Sequence, residues 1–233
     1  MVQKAYLDAI NNAREELIVE LANTHEKILE CKQLRYKVYC EERDFLPGDN
    51  GIEEDEFDSH SHHALVRSRV TGSVYGTVRV VLSKSGSRDN CFPMQRVCDE
   101  GILKAFPLSL TGEISRFAVT RDRTGISAAA AALMRLCLLR GIVQISGECG
   151  LTYWCATMER TFLRLLRASG IFPQHLGEPV EYHGLRQPAV WALSGGFAQM
   201  KREHPHIWSF LTNDGAFWSD ALVSGESSIL KIA

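Results

Sequence analysis

Apolar positions along the chain fall into two periods, and the switches between them mark the elements. Leu17 to Leu21, with Ile18 and Val19 inside, is a short apolar run that ends at Asn23 and Thr24, which predicts a strand. Thr24 is a good helix N-cap. Beyond it Ile28, Cys31, Leu34, Arg35, Val38 and Tyr39 recur at helical spacing, predicting an amphipathic helix that ends near Glu42 with Tyr39 on its apolar face. From Arg43 to His63 regular periodicity disappears. The valine-rich runs Ala64–Val70 and Ser73–Leu82, separated by Thr71 and Gly72, predict a β-hairpin that carries Arg79 inside its second strand.

Further on, Leu110–Val119 and Thr152–Ala156 read as strands, Ile126–Gly141 and Arg160–Ser169 as helices, and Gly170 as the left-handed residue that closes the second helix. The alanines at 128 to 132 favour helix and, being small, suit close approach to a sheet. Val180–Arg186 and Pro188–Ser194 are the last predicted strands. Short helices are predicted over Tyr6–Glu16, Met94–Lys104, Gly196–Glu203 and His206–Leu211. Without an internal repeat or a linker-like composition shift, the pattern describes one domain over residues 1–233, with an N-terminal helix in 1–16 and a C-terminal helical extension in 195–233. The predicted class is α/β (α+β), a mixed, mainly antiparallel central sheet flanked by helices.

Composition narrows this only at the margins. A chain of 233 residues with 45% hydrophobic and 23% charged residues suits a globular domain, and a formal charge of -2 gives no global field for nucleic acid. The seven cysteines are odd in number, scattered and never in a C-x-x-C pair, which fits reduced buried thiols better than a disulfide framework or a zinc ribbon. Residues 1–16 carry charges throughout, unlike a signal peptide, and no apolar run reads as long enough to span a bilayer. These features predict a cytoplasmic protein. His60, His62 and His63 lack the spacing of a zinc site and are expected in a polar turn leading into a strand.

The chemistry concentrates at Gly112–Val119, reading Gly-Glu-Ile-Ser-Arg-Phe-Ala-Val, and at the polar run Thr120–Ser127 behind it. Glu113 and Arg116 sit on a strand just before a helix N-terminus, an arrangement suited to an active-site strand with an anion-binding loop. The acidic stretch from Arg43 to His63 is too long for a mere connection and is expected to form a wall of the site.

Arg35 with Tyr39, Phe45, Glu53-x-Asp55-x-Phe57-Asp58, Gly76-Thr77-Val78-Arg79 and Glu113-x-x-Arg116-Phe117 follow one another in an order and spacing that resembles the acyl-homoserine-lactone synthases and the related bacterial N-acyl amino acid synthases. Met158 to Leu166 and Glu178 to Pro188 look more like acyltransferases associated with PEP-CTERM/exosortase systems. The resemblance covers roughly Leu17 to Leu211. It implies a Gcn5-related N-acetyltransferase (GNAT) fold that moves a fatty acyl group from acyl carrier protein to the amine of a small acceptor. Phe45 stands where lactone synthases usually carry tryptophan, which counts against S-adenosylmethionine as the amine donor and leaves acyl transfer intact.

Within this resemblance Glu113 and Arg116 are the candidate catalytic residues, Glu113 as the base that takes the amine's proton or as an ion-pair partner of Arg116 or Arg79. Arg35, Asp55, Asp58 and Arg79 form either a structural ion-pair network or a grip on an acceptor bearing both an amine and a carboxylate. Tyr39, Phe45, Phe57, Phe117, Leu151 and Trp154 are candidates for lining an acyl tunnel, and most of them equally suit an ordinary core. The resemblance also implies a β-bulge near Phe117–Val119 whose amides would hold the oxyanion.

Val119, Arg121, Arg123, Thr124, Gly125, Ile126 and Ser127 are the candidate phosphopantetheine loop, or else an ordinary N-capped helix start. Asp122 occupies the place where that loop usually has Arg or Gln. This favours acyl carrier protein over acyl-coenzyme A as donor, and no tightly bound cofactor is expected. Arg160, Arg164 and Arg167 make a basic stripe that suits docking of an acidic carrier protein, or simply a solvated helix face.

Overall fold

The structure is a computed structural model that describes residues 15–48, 50–84, 90–98 and 107–218. It divides into two compact units, Met1–Val80 with Ser115–Ile145 and Val81–Ile114 with Ser146–Ala233. Most of the predicted helix at Tyr6–Glu16, the second half of that at Met94–Lys104 and the end of the C-terminal extension lie outside the described residues.

In the first unit β1 (Leu17–Leu21) pairs antiparallel with β2 (Ser61–Ser68), Leu17 opposite Ser68 and Leu21 opposite Ala64. The strand order continues through β3 (Val74–Leu82) to β4 (Thr111–Val119). α1 (His25–Tyr36) starts as predicted, with the Lys27 N–H donating to Thr24 Oγ1 at 3.3 Å. Its last predicted turn is not α-helical: Lys37–Glu42 is a π-helix, a form that concentrates at functional sites. Ala22, Cys31 and Leu65 pack as one core cluster, and Leu34, Val38 and Ala118 as another, with Tyr39 against the second. Tyr39 thus lies on the apolar face, as its spacing predicted.

Other boundaries in this unit also differ from the sequence reading. β2 begins at Ser61, so His62 and His63 are strand residues and not part of a turn; only His60 lies in the short 3-10 turn Asp58–His60. α2 spans Ala128–Glu148 and runs straight through Gly141. That glycine is not a helix stop: a Cβ there would lie 2.6 Å from the Ala64 Cβ, so it is the point of close approach to β2. At its full length α2 is, among the described residues, the one helix that by length and composition alone could cross a bilayer. Of its most apolar stretch 61% is buried, as in a core helix.

In the second unit the first residues of β4 pair parallel with β5 (Tyr153–Met158), Glu113 opposite Cys155. β5 pairs antiparallel with β8 (Leu185–Ala192), which also pairs with the two-residue strands β6 (Gln174–His175) and β7 (Val180–Glu181). The two predicted strands around Pro188 are therefore one strand with a short partner. Leu193 and Ser194 belong to α4 (Leu193–Glu203), and α5 spans Pro205–Thr212. α3 (Arg160–Ala168) ends as predicted at Gly170, whose φ is +79°.

Candidate active site

The first unit gathers six of the predicted motif positions into one cluster. Arg35 reaches it from α1, Glu53, Asp55 and Asp58 from the acidic loop, Arg79 from β3 and Arg116 from β4. Arg35 donates from Nε to Glu53 and from Nη1 and Nη2 to the two oxygens of Asp58, at 2.6 and 3.0 Å. Arg79 takes Asp55 in the same bidentate way and reaches Asp58 at 3.2 Å. Arg116 donates from Nε to Glu53 at 3.0 Å and from Nη2 to Asp55 at 2.8 Å. Each carboxylate lies between two guanidinium groups and each guanidinium between two carboxylates. The result is a closed ring of alternating charge: Arg35, Glu53, Arg116, Asp55, Arg79, Asp58 and back to Arg35.

Burial alone would raise all three carboxyl pKa values, and the arginines outweigh it. Arg35 and Arg116 hold Glu53 below the usual carboxylate range, Arg79 and Arg116 do so for Asp55, and Arg35 with Arg79 lowers Asp58 strongly. The ring is therefore fully ionised and neutral as a whole. Its exposure is uneven: the side chains of Arg35 and Arg79 are 0% accessible, whereas Arg116 and Asp55 are 16% and 17% accessible and form its open edge. Arg79 lies 6.0 Å from the centre of the Phe57 ring, and Arg116 6.0 Å from that of Tyr39, whose phenol is pushed up to about 12 by burial. Phe57 is buried, Phe117 half-buried and Phe45 exposed, with Arg43 against its ring.

Three residues that the sequence reading left without a role belong to this cluster. Glu53 closes the ring; its place two residues before Asp55 in the motif was the available signal. Ser115 Oγ accepts from Arg79 Nε at 3.0 Å. His63 is 3% exposed and its Nε2 lies 3.5 Å from Asp58 Oδ1. Ala64, Leu65 and Val66 beyond it are all buried, so this end of β2 is enclosed on both faces, which the run of polar residues before it gave no reason to extend to a histidine.

β4 is irregular one residue before the stretch Phe117–Val119 that was expected to bulge. Arg116 has φ at +48°, in the left-handed region, in the middle of a nine-residue strand. Behind β4, the loop 120–127 is tied into the unit. Glu42 accepts from the Thr120 hydroxyl and, at 2.9 Å, from the Arg121 N–H; Glu16 accepts from the Ser127 N–H at 2.7 Å. The Thr124 N–H donates to Asp122 at 2.9 Å, Arg123 donates to the carbonyls of Thr120 and Asp122, and Ser127 Oγ caps α2 by accepting from Ala130. Gly125 has φ at +82°, Val119 is buried and Ile126 half-buried.

In the second unit Glu113 is 2% exposed and accepts from the Met94 N–H at 3.0 Å. Trp154 packs with Trp191 and Phe197 at centroid distances of 5.0 and 5.9 Å and donates to Ser146 Oγ at 2.7 Å; Leu151 is buried. Arg160, Arg164 and Arg167 are exposed on α3, and the buried side of that helix is formed by Leu163 and Leu166. Burial pushes the Cys31 and Cys98 thiols up to about 11 and Cys137 up to about 12, so they stay protonated at neutral pH.

Residues 34–133 match the acetyltransferase (GNAT) domain family. The chain is similar in structure to TofI, solved in a ternary complex with an inhibitor and MTA: the TM-score is 0.61 at 23% identity, over 87% of this chain and 99% of that one. BjaI, a CoA-dependent acyl-homoserine lactone synthase solved with SAM and isopentyl-CoA, aligns over 91% of this chain and 99% of its own, with TM-score 0.60 and 20% identity. FeeM, an N-acyl amino acid synthase from uncultured soil microbes, aligns over 78% and 94%, with TM-score 0.55 and 14% identity. None of the curated proteins matches in sequence. The fold is GNAT-like, in accord with the expected class.

Proposed function

We propose that this protein is an N-acyltransferase that moves an acyl group from a thioester to the amine of a small acceptor. The observation that carries the reading is the charged ring around the left-handed Arg116 of β4, in a fold matched along most of its length by lactone synthases and an N-acyl amino acid synthase. The donor is an acyl-phosphopantetheine on acyl carrier protein. Glu42 and Glu16 already occupy the Arg121 and Ser127 amides, which suits a single phosphate better than the several of coenzyme A. The exposed arginines of α3 suit an acidic carrier protein.

The acceptor is an amino acid or a related small molecule. Arg35 and Arg79 are buried against the protein's own carboxylates, so the acceptor meets the open edge of the ring, its ammonium at Asp55 and its carboxylate at Arg116. The ring carboxylates, held ionised by arginine, are weak bases. Glu113, oriented by the Met94 N–H, takes the amine's proton. The neutral amine nitrogen so formed bonds to the thioester carbon, β4 amides beyond Arg116 hold the oxyanion, and collapse breaks the carbon–sulfur bond; the second nitrogen proton passes to the departing thiolate, and Glu113 releases the first to solvent. The reaction takes place in the cytoplasm.

Acyl-homoserine-lactone synthesis from S-adenosylmethionine is the second reading, favoured by the structural likeness to BjaI and TofI. Incubation of the protein with acyl-carrier protein or acyl-CoA, and with either an amino-acid mixture or S-adenosylmethionine, followed by mass spectrometry, tests both. An N-acyl amino acid formed from acyl-carrier protein is the expected product. Release of methylthioadenosine with a lactone product would establish the second reading, and no acyl transfer in any arm would overturn both.

A further inference from the structure

We infer that His63 is a positioning residue of the charged ring: as a neutral imidazole it holds Asp58 in place, and through Asp58 the two arginines on either side. The inference rests on the ring's part in the proposed acyl transfer, but its first test does not. His63 stands on β2, 3% exposed, with Nε2 3.5 Å from Asp58 Oδ1 and with Nδ1 buried and without a hydrogen-bond partner. This geometry selects one tautomer. A proton on Nε2 faces a carboxylate, whereas a proton on Nδ1 would be a buried donor with nothing to accept it.

The surroundings also select the neutral state. The charged groups facing the imidazole are Asp58 from the 3-10 turn, Arg35 and Lys32 from α1, and Arg79 from β3, so three cations oppose one anion. Burial first, then Arg35, holds the imidazolium down to about 4. The ring itself is balanced, three guanidinium groups against three carboxylates. A cationic residue at 63 would set four cations against the ring's three anions in a buried space, and an aliphatic one would withdraw the N–H that faces Asp58. Histidine supplies a polar N–H and fills the space behind Asp58 without adding charge.

Nitrogen-15 NMR of histidine-labelled full-length protein tests the tautomer directly, with His63→Gln identifying the resonance. The expected signal is that of the Nε2–H tautomer, unchanged between about pH 8 and pH 5; a midpoint near the ordinary 6.5 would overturn the inference. In steady-state assays His63→Leu is expected to lower kcat about tenfold through misplacement of the ring, with a smaller change in KM, and His63→Gln, which keeps an N–H at the same reach, to recover most of it. A folded His63→Leu with wild-type kcat would also overturn it, as would Gln and Leu variants equally impaired. If His63→Leu does not fold, the resonance and the Gln variant decide. Absence of turnover in the wild type would count against the functional reading and leave the NMR result to judge His63.

Discussion

Ser115 and Arg116 are consecutive residues of β4, yet both serve the same cluster: Ser115 Oγ accepts from Arg79 at 3.0 Å, and Arg116 donates to Glu53 and Asp55 at 3.0 and 2.8 Å. In a regular strand neighbouring side chains point to opposite faces. The left-handed φ of Arg116 interrupts that alternation and lets both side chains reach the ring. Such a conformation costs on the order of 1–3 kcal/mol for a residue with a Cβ, a cost that two charge-assisted contacts offset.

Arg116→Gly separates these two effects. Glycine adopts the positive φ freely, so the backbone is relaxed while Glu53 and Asp55 each lose one cation. We expect a net loss of about 2–4 kcal/mol in urea denaturation, because the uncompensated buried carboxylates outweigh the relieved strain, together with a fall of at least about a hundredfold in acyl transfer. Stability equal to that of the wild type would mean that the ring contributes nothing to the fold at this position.

Asp55 and Arg79 are joined by two hydrogen bonds. Asp55→Asn and Arg79→Met are each expected to destabilise by about 3–5 kcal/mol, since each leaves two buried ring charges with one partner in place of two. The double variant is expected to fall short of the sum by about 1–3 kcal/mol. Additive losses in a double-mutant cycle would show that the pair is not coupled.

Glu113→Gln keeps an oxygen to accept from the Met94 N–H and removes the proton acceptor. Thermal stability is expected to change by less than about 1 kcal/mol, while kcat falls at least about a hundredfold. Full turnover by this variant would remove Glu113 as the base.

Acid stability follows from the depressed pKa values. Glu53, Asp55 and Asp58 have folded-state values below their unfolded ones, so their contribution is present above about pH 4 and is lost as pH falls further. His63, lowered from 6.5 to about 4, acts earlier: its contribution is present above about pH 6.5 and is lost between there and about pH 4. At about 1.4 kcal/mol per pH unit that window holds on the order of 3 kcal/mol. Thermal melts from pH 8 to pH 4 are expected to decline in that window, and the decline is expected to flatten in His63→Gln.

Gly141→Ala places a methyl group 2.6 Å from the Ala64 Cβ. We expect a loss of about 1–3 kcal/mol despite the better helix propensity of alanine, with partial rescue by Ala64→Gly in the same chain. A stabilised single variant would show that α2 and β2 can separate at no cost.

Local pattern was enough for much of this molecule. The span of β1, the Thr24 cap, the Gly170 helix end and β4 within one residue were legible because each depends on neighbours in sequence: a short apolar run, a capping oxygen, a glycine that accepts positive φ. Where the reading failed, the deciding contact was distant. Gly141 looked like a helix stop because nothing local shows that Ala64 lies against it. β6, two exposed residues long, exists only because β8 is there to pair with it.

The same division runs through the site. By itself the sequence picked out, as a motif order, Arg35, Asp55, Asp58, Arg79 and Arg116, the charged residues that the structure brings together, and it determined that a charged strand precedes a helix start. Only the tertiary structure decided how those charges are shared. Glu53 joins as the third carboxylate, Arg35 and Arg79 are fully enclosed, and Arg116 with Asp55 is left as the accessible edge. The physical reason is that ion pairing depends on distance and burial, and the partners come from a helix, a loop and two strands between 18 and 63 residues apart. Spacing along a chain carries no record of which of several opposite charges will be nearest once water is removed.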